Sequence, residues 1–229
     1  MIDAPSLKLL QRRTVSSPTW FGWCVIVVLL LAPILWSLLA GEAFLSHTQR
    51  LPAAEVLVVE GWIGREGVRA AATEFQEHGY MYVATSGGPA MGRWEKERSN
   101  YATMAGLELV ELGIPRDKII VAPCKKTEIR RTFESAAAVL RALAVMHVRP
   151  KALNVFTYGP HAKRSRLVYA KVFRPDTNVG VIAWSPSEDR LEPWWRSSQR
   201  AKELLSESVG YIFELLLNSA RLTSNPAEN

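Results

Sequence analysis

The chain has 229 residues, 48% of them hydrophobic and 22% charged, with a mean hydropathy of zero; this fits one domain of ordinary size plus an extension and excludes a disordered or fibrous chain. Its two cysteines, Cys24 and Cys124, exclude a disulfide scaffold and a cysteine-based structural zinc site. The 28 Lys and Arg against 22 Asp and Glu leave a formal charge of +6, an excess that suits a membrane surface, a phosphate ligand or a nucleic acid equally.

The apolar residues are concentrated near the N-terminus. Residues 20–40, WFGWCVIVVLLLAPILWSLLA, are 21 positions without a charge, and a helix of that length spans roughly 30 Å, the thickness of the bilayer hydrocarbon. Trp20, Phe21, Trp23 and Trp36 lie toward its two ends, where amphipathic rings favour the interface, and Pro33 is tolerated inside a membrane span. Lys8, Arg12 and Arg13 precede the span, whereas the following stretch opens on Glu42 and has no basic residue before Arg50. The positive-inside rule therefore puts residues 1–19 in the cytoplasm and the rest of the chain across the membrane. A cleaved signal peptide is the alternative, with Gly41-Glu42-Ala43 as the small-residue site, but the apolar run is longer than a signal core.

Residues 41–52 read as a connector. From there strand and helix patterns alternate. Residues 55–60 form a β-branched run stopped by Gly61, and 65–78 show helical spacing through Val68, Ala71, Ala72 and Phe75. Residues 81–85 give a second strand closed by Ser86-Gly87-Gly88-Pro89, and 96–112 a helix stopped by Gly113 and Pro115. A third strand over 118–122, an Ala-rich helix over 132–147, a fourth strand over 152–157, a helix starting at Pro160 and a fifth strand over 178–184 follow. A last helix from 197 to about 220 carries Leu204, Leu205, Val209, Ile212, Leu215 and Leu216 on one broad face, suited either to covering the sheet or to lying on a membrane. This order predicts an α/β fold, a Rossmann-like three-layer α/β/α domain with a mostly parallel five-stranded sheet over residues 53–220, and a flexible tail over 221–229.

Ligands of open parallel sheets bind beyond the carboxyl ends of the strands. Those ends carry Glu60-Gly61-Trp62, then Ser86, Gly87 and Gly88, then Cys124-Lys125-Lys126 leading to Arg130, Arg131 and Thr132, then Gly159-Pro160-His161 with Arg164. Glycines allow close backbone approach, and His161 and Arg164 share a face at a helix start, so the set describes an anion site for phosphate or pyrophosphate. Glu60 ends a buried strand facing this crevice. It reads as a general base or metal ligand, or as a structural partner of Arg131 or Arg164. There is no GxGxxG after a strand, no GxxxxGK[ST], no GxSxG and no zinc spacing among the four histidines. No metal and no cofactor is therefore assigned, and no motif supports nucleic-acid binding.

Ser-Gly-Gly at 86–88, Leu-Gly-Ile-Pro at 112–115, Thr-Phe-Glu-Ser-Ala at 132–136 and Thr-x-Gly-Pro-His-x-x-Arg at 157–164 occur in an order that resembles the bacterial SanA/ElyC/YdcF-like family. Val-Glu-Gly-Trp at 59–62, Gly-Pro-His-Ala-Lys-Arg-Ser-Arg-Leu at 159–167 and Trp-Trp-Arg-Ser-Ser at 194–198 are similar to a membrane-anchored subgroup. The resemblance covers roughly residues 53–217. It implies a Rossmann-like sheet and a place at the bacterial inner membrane, with the domain in the periplasm, in peptidoglycan or surface-polysaccharide biogenesis. The family's recurrent polar positions fall on Ser86, Gly87, Gly88, Thr132, Glu134, His161 and Arg164. Arg131 and Ser135 stand where the broader family often has Asn, and Glu60-Gly61-Trp62 replaces a glycine-rich turn.

Two functions follow as expectations. One is an enzyme acting on a polyprenyl-phosphate-linked glycan, with Glu60 and His161 catalytic and Gly61, Ser86, Gly87, Gly88, Arg131, Thr132, Gly159 and Arg164 binding the ligand. The other is a non-catalytic scaffold that binds envelope-synthesis proteins through Trp194-Trp195, a pair that equally suits packing under the last helix.

Overall fold

The computed structural model of the chain describes residues 16–90, 100–125, 127, 130–190 and 192–217. The chain divides into two compact units at residue 39, and the expected N-terminal segment 1–19 is described only from residue 16, the tail 221–229 not at all.

Helix α1, Trp20–Leu45, is long and apolar enough to cross a membrane. Thr19 caps it by accepting the Gly22 N–H at 3.1 Å. Pro33 lies inside it, and the Ser37 hydroxyl donates to the Pro33 carbonyl at 2.8 Å. Trp20, Val28, Leu29 and Leu39 are exposed, which is not the burial of a core helix. The helix runs five residues past the expected end of the apolar run, and Leu45 is buried in the second unit.

The second unit is a five-stranded, all-parallel sheet with helices on both sides, as expected. Its strands are β1 (Val56–Glu60), β2 (Tyr82–Gly87), β3 (Ile119–Pro123), β4 (Ala152–Tyr158) and β5 (Asn178–Trp184), in the order β3-β2-β1-β4-β5. Helices α2 (Gly64–Glu77) and α3 (Tyr101–Glu111) cover one face, sharing a core with Leu57, Val59 and Val83. Helices α4 (Arg131–Val145) and α5 (Ala162–Phe173) cover the other, around Val56, Val58, Val155 and Tyr169. The alternation along β1 sends Glu60 to the α4/α5 side. The strand order reverses between β1 and β4, so the topological switch lies at the end of Glu60 and its neighbour Thr157.

The connector is fastened to this sheet. Gln49 exchanges two backbone hydrogen bonds with Val181 on the edge strand. The buried Asn154 accepts the Leu51 N–H and donates to both the Leu51 carbonyl and the Tyr80 hydroxyl.

The last helix, α6 (Ser198–Leu217), departs from one reading of its sequence. Of the six residues expected on its apolar face only Leu204 is buried, while Leu205, Val209, Ile212, Leu215 and Leu216 are exposed. The face turned inward is the acidic one. Glu207 and Glu214 find cationic partners on α5, and those ion pairs, not apolar area, choose the side that packs. Ahead of α6, Trp194 is buried and Trp195 is half exposed, so only one of the pair packs away.

Candidate functional site

Glu60 is 2% exposed and ends β1 among hydroxyls rather than cations. Thr157 Oγ1 donates to its Oε2 at 2.5 Å and Ser165 Oγ donates to the same oxygen at 3.0 Å. His161 Nε2 stands 3.6 Å from that oxygen. Among the described residues no ion pair joins Glu60 to Arg131 or Arg164, so the structural-partner reading of Glu60 has no contact behind it.

Arg164, the cation expected to hold ligand, is also engaged within the protein. Arg164 grips Glu207 of α6 with Nε at 2.7 Å and Nη2 at 2.9 Å, and its Nη1 donates to Thr132 Oγ1 at 3.1 Å. Every nitrogen of the guanidinium thus has an acceptor. A bidentate pair of this kind is among the strongest side-chain contacts. Burial alone would raise the Glu207 carboxyl, but hydrogen bonds and charge from His161 and Arg164 outweigh it and hold it at about 2. The Arg164 guanidinium loses from burial and gains more from Glu207, so its pKa is raised.

His161 is buried between the two carboxylates. Its Nδ1 lies 3.0 Å from Glu207 Oε2 and 3.0 Å from Arg164 Nη2. An arginine N–H can only donate and a carboxylate oxygen can only accept, so Nδ1 stands between a donor and an acceptor. Its Nε2 faces Glu60, so the ring is held between two carboxylates, the setting in which general acids and bases are oriented.

Two cavities meet at this histidine. One, of about 520 Å³, lies over the ends of β1, β2 and β3 and the start of α4. Gly87, Gly88, Lys125, Arg130, Arg131 and Thr132 line it, with Glu60, His161, Arg164, Glu207 and Glu214 across from them. Arg164 pairs with Glu207, and Lys171 pairs with Glu214 at 3.1 Å. Among the described residues Lys125, Arg130 and Arg131 have no carboxylate partner, so this wall is net positive.

Arg130 is the most conspicuous of the three. Its backbone is left-handed, at φ 57° and ψ 38°, although it is not glycine. Among the described residues one of its terminal nitrogens, Nη1, is buried without a hydrogen-bond partner. The left-handed backbone costs about 1–2 kcal/mol and the unpaired donor about 1–3 kcal/mol, and both fall on one residue at a cavity wall. The side chain of Arg130, the N-cap residue, makes no capping hydrogen bond, and Arg131 and Thr132 of the first turn line the cavity.

The other cavity, of about 630 Å³, is aromatic. Trp62, Tyr158 and Trp184 form its walls, with polar groups from Asp189, Gln199, Arg200 and Glu203. Trp62 stands edge-on to His161 with ring centroids 5.0 Å apart, and to Tyr158 at 6.5 Å. Burial and the hydrogen bond to Asp189 raise the Tyr158 phenol above its ordinary range. Trp62, His161 and Glu207 belong to both cavities.

The residues picked from the sequence thus divide. Glu60, Gly87, Gly88, Arg131, Thr132, His161 and Arg164 come together around the first cavity. Gly61, Ser86 and Gly159 line neither cavity. Gly61 is buried where an added Cβ would run into the Tyr101 carbonyl of α3, Ser86 Oγ lies 3.1 Å from the Tyr169 hydroxyl, and a Cβ on Gly159 would meet Ser185 at 2.6 Å. These three shape the strand ends. Lys125 reaches the cavity, and Lys126 lies outside the described residues. Sequence reasoning missed Glu207, and it placed Arg130 and Trp62 at the strand ends without giving either a role. A signal for Glu207 was present: Glu203, Glu207, Gly210 and Glu214 fall at i, i+4, i+7 and i+11, a second stripe opposite the apolar one. No protein-family profile matches the chain, and no curated protein sequence matches it at a significant level.

Proposed function

We propose that the chain is a membrane-anchored protein of the bacterial envelope, with its N-terminus cytoplasmic and its domain across the inner membrane, that acts on a glycan precursor carried by a polyprenyl phosphate. The phosphate occupies the cation-lined cavity, held by Arg130, Arg131, Lys125 and the start of α4. The sugar stacks in the aromatic cavity on Trp62. His161, held at Nδ1 between Arg164 and Glu207, handles a proton at the junction, with Glu60 beside its Nε2. The apolar α1, the charge asymmetry around it and the resemblance to envelope proteins support the location. The observation that carries the chemistry is Arg130, a strained arginine at the start of α4 with a terminal nitrogen buried and unpaired among the described residues.

The test is calorimetric titration of the full chain in detergent with a polyprenyl-phosphate-linked sugar and with inorganic phosphate. Arg130→Gly is expected to weaken both on the order of 10- to 100-fold, the worth of one charge-assisted contact. It should leave stability within about 1 kcal/mol, because glycine accepts the left-handed backbone freely. Failure of the unaltered chain to bind either ligand, or unchanged binding by the variant, overturns the assignment. Trp195, half exposed beside the buried Trp194, favours a second reading in which the domain binds envelope-synthesis proteins without chemistry.

A further inference from the structure

We infer that α6 is an interfacial helix whose outer face lies in the surface of a lipid bilayer, so that the cavities it walls open at the level of the lipid headgroups. This rests on the reading of α1 as a membrane span.

Three observations carry it. The first is the pattern of α6 itself. Leu205, Val209, Ile212 and Leu216 fall at i, i+4, i+7 and i+11, and all four are more than half exposed, with Phe213 and Leu215 flanking them. A continuous apolar stripe left open on a folded domain is uncommon in a chain that meets only water. Exposed Lys202 borders the stripe, as basic residues border the apolar face of surface-lying helices.

The second is that the helix cannot roll over to hide this stripe. The opposite row is held by Arg164 on Glu207 at 2.7 Å and by Lys171 on Glu214 through both the carboxylate and the backbone carbonyl. Gly210 sits between them, where a Cβ would come within 2.9 Å of Arg164 Cδ. Rotating α6 inward would strip partners from buried charges, a loss larger than the apolar area gained.

The third says what covers the stripe. The chain that leaves the apolar run of α1 goes directly to α6. Glu42 forms a 2.5 Å ion pair with Arg200 of α6, Phe44 packs edge-on against Tyr211 of α6 at 5.9 Å, and Lys163 stands 4.2 Å over the Phe44 ring. Residues 42–44 lie within about one helical turn, roughly 6 Å, of Ala40, where the uncharged run ends. Leu45 is buried, and the connector behind it is hydrogen-bonded to β5 and Asn154, so this junction is not a loose tether. The membrane surface at which the uncharged run ends is therefore within about one helical turn of residues that touch α6. The lipid-linked end of a polyprenyl substrate would then reach the cation-lined cavity without leaving the membrane surface.

The experiment uses the full chain in vesicles of phosphatidylethanolamine and phosphatidylglycerol. A fluorophore is attached to Val209→Cys or Ile212→Cys in a Cys24→Ser, Cys124→Ser background, to native Cys24 in Cys124→Ser, and to Met104→Cys on the far helix α3. Lipids carrying a headgroup-proximal nitroxide, and a water-soluble quencher, report the surroundings. The labels on α6 are expected to lose fluorescence to the lipid quencher as strongly as the Cys24 label and to resist the aqueous one, with the Met104 label behaving oppositely. If Cys24 is quenched by lipid and the α6 labels are quenched only from water, the anchor stands and the interfacial helix is overturned. If Cys24 itself is not reached by lipid, the span fails and the inference with it. Labels on α6 shielded from both quenchers, with a doubled mass by light scattering in detergent, identify a second copy on that face and overturn it as well.

Discussion

At the scale of single residues, Glu207 decides the electrostatics of the site. It takes up Arg164 and stands against His161, while Arg130, Arg131 and Lys125 line the cavity without a carboxylate partner among the described residues. A pH signature follows from its depressed pKa. The folded-state value of about 2 lies below the ordinary 4.5, so the stabilisation is complete above pH 4.5 and is lost as the pH falls toward about 2. A shift of that size corresponds to about 3 kcal/mol. Glu207→Gln is expected to cost a similar amount at neutral pH, since it leaves Arg164 buried without its counter-charge. The gap between the two proteins should close as the pH approaches about 2. Urea unfolding of the full chain in detergent at a series of pH values measures it, and parallel curves for the two proteins would contradict the assignment.

At the scale of elements, the strands and most helices could be read from the sequence because each obeys a local rule. Val56 to Val59 is a β-branched run that only a doubly covered strand can bury, and Val68, Ala71, Ala72 and Phe75 repeat at helical spacing. The facing of α6 could not be read this way. Its apolar stripe obeys the same rule, but the choice of side depends on Arg164 and Lys171, each 43 positions away from its partner. The left-handed backbone of Arg130 was likewise invisible, because nothing local asks an arginine to adopt it. The connector shows a related dependence on a distant side chain. Asn154 makes three hydrogen bonds that join residue 51 and Tyr80 to the middle of the sheet. Asn154→Ala should destabilise the domain by about 2–3 kcal/mol, because it strands the Leu51 amide and carbonyl near the sheet edge. It should also release the junction to α1, seen as faster hydrogen exchange at residues 46–52 while the exchange of β2 and β3 is unchanged.

At the scale of the whole molecule, the two cavities meet at one histidine near the place where the strand order reverses. A ligand with one anionic and one ring-like end would fill both, and its two ends would report separately. Binding stabilises the folded chain by RT ln(1 + [L]/Kd), about 2.7 kcal/mol at a hundredfold excess over Kd. Inorganic phosphate should therefore raise the melting temperature through the first cavity alone, and Trp62→Ala should leave that shift intact. A sugar phosphate should give a larger shift, of which Trp62→Ala removes the excess and Arg130→Gly most of the whole. The double variant measures whether the ends cooperate. Trp62 touches His161 at 5.0 Å and Arg130 lies across the cavity, so independent ends would give additive losses within about 0.5 kcal/mol, whereas a ligand held across the junction would not. Equal sensitivity of the phosphate shift to Trp62→Ala and Arg130→Gly would mean that one pocket, not two, binds the ligand.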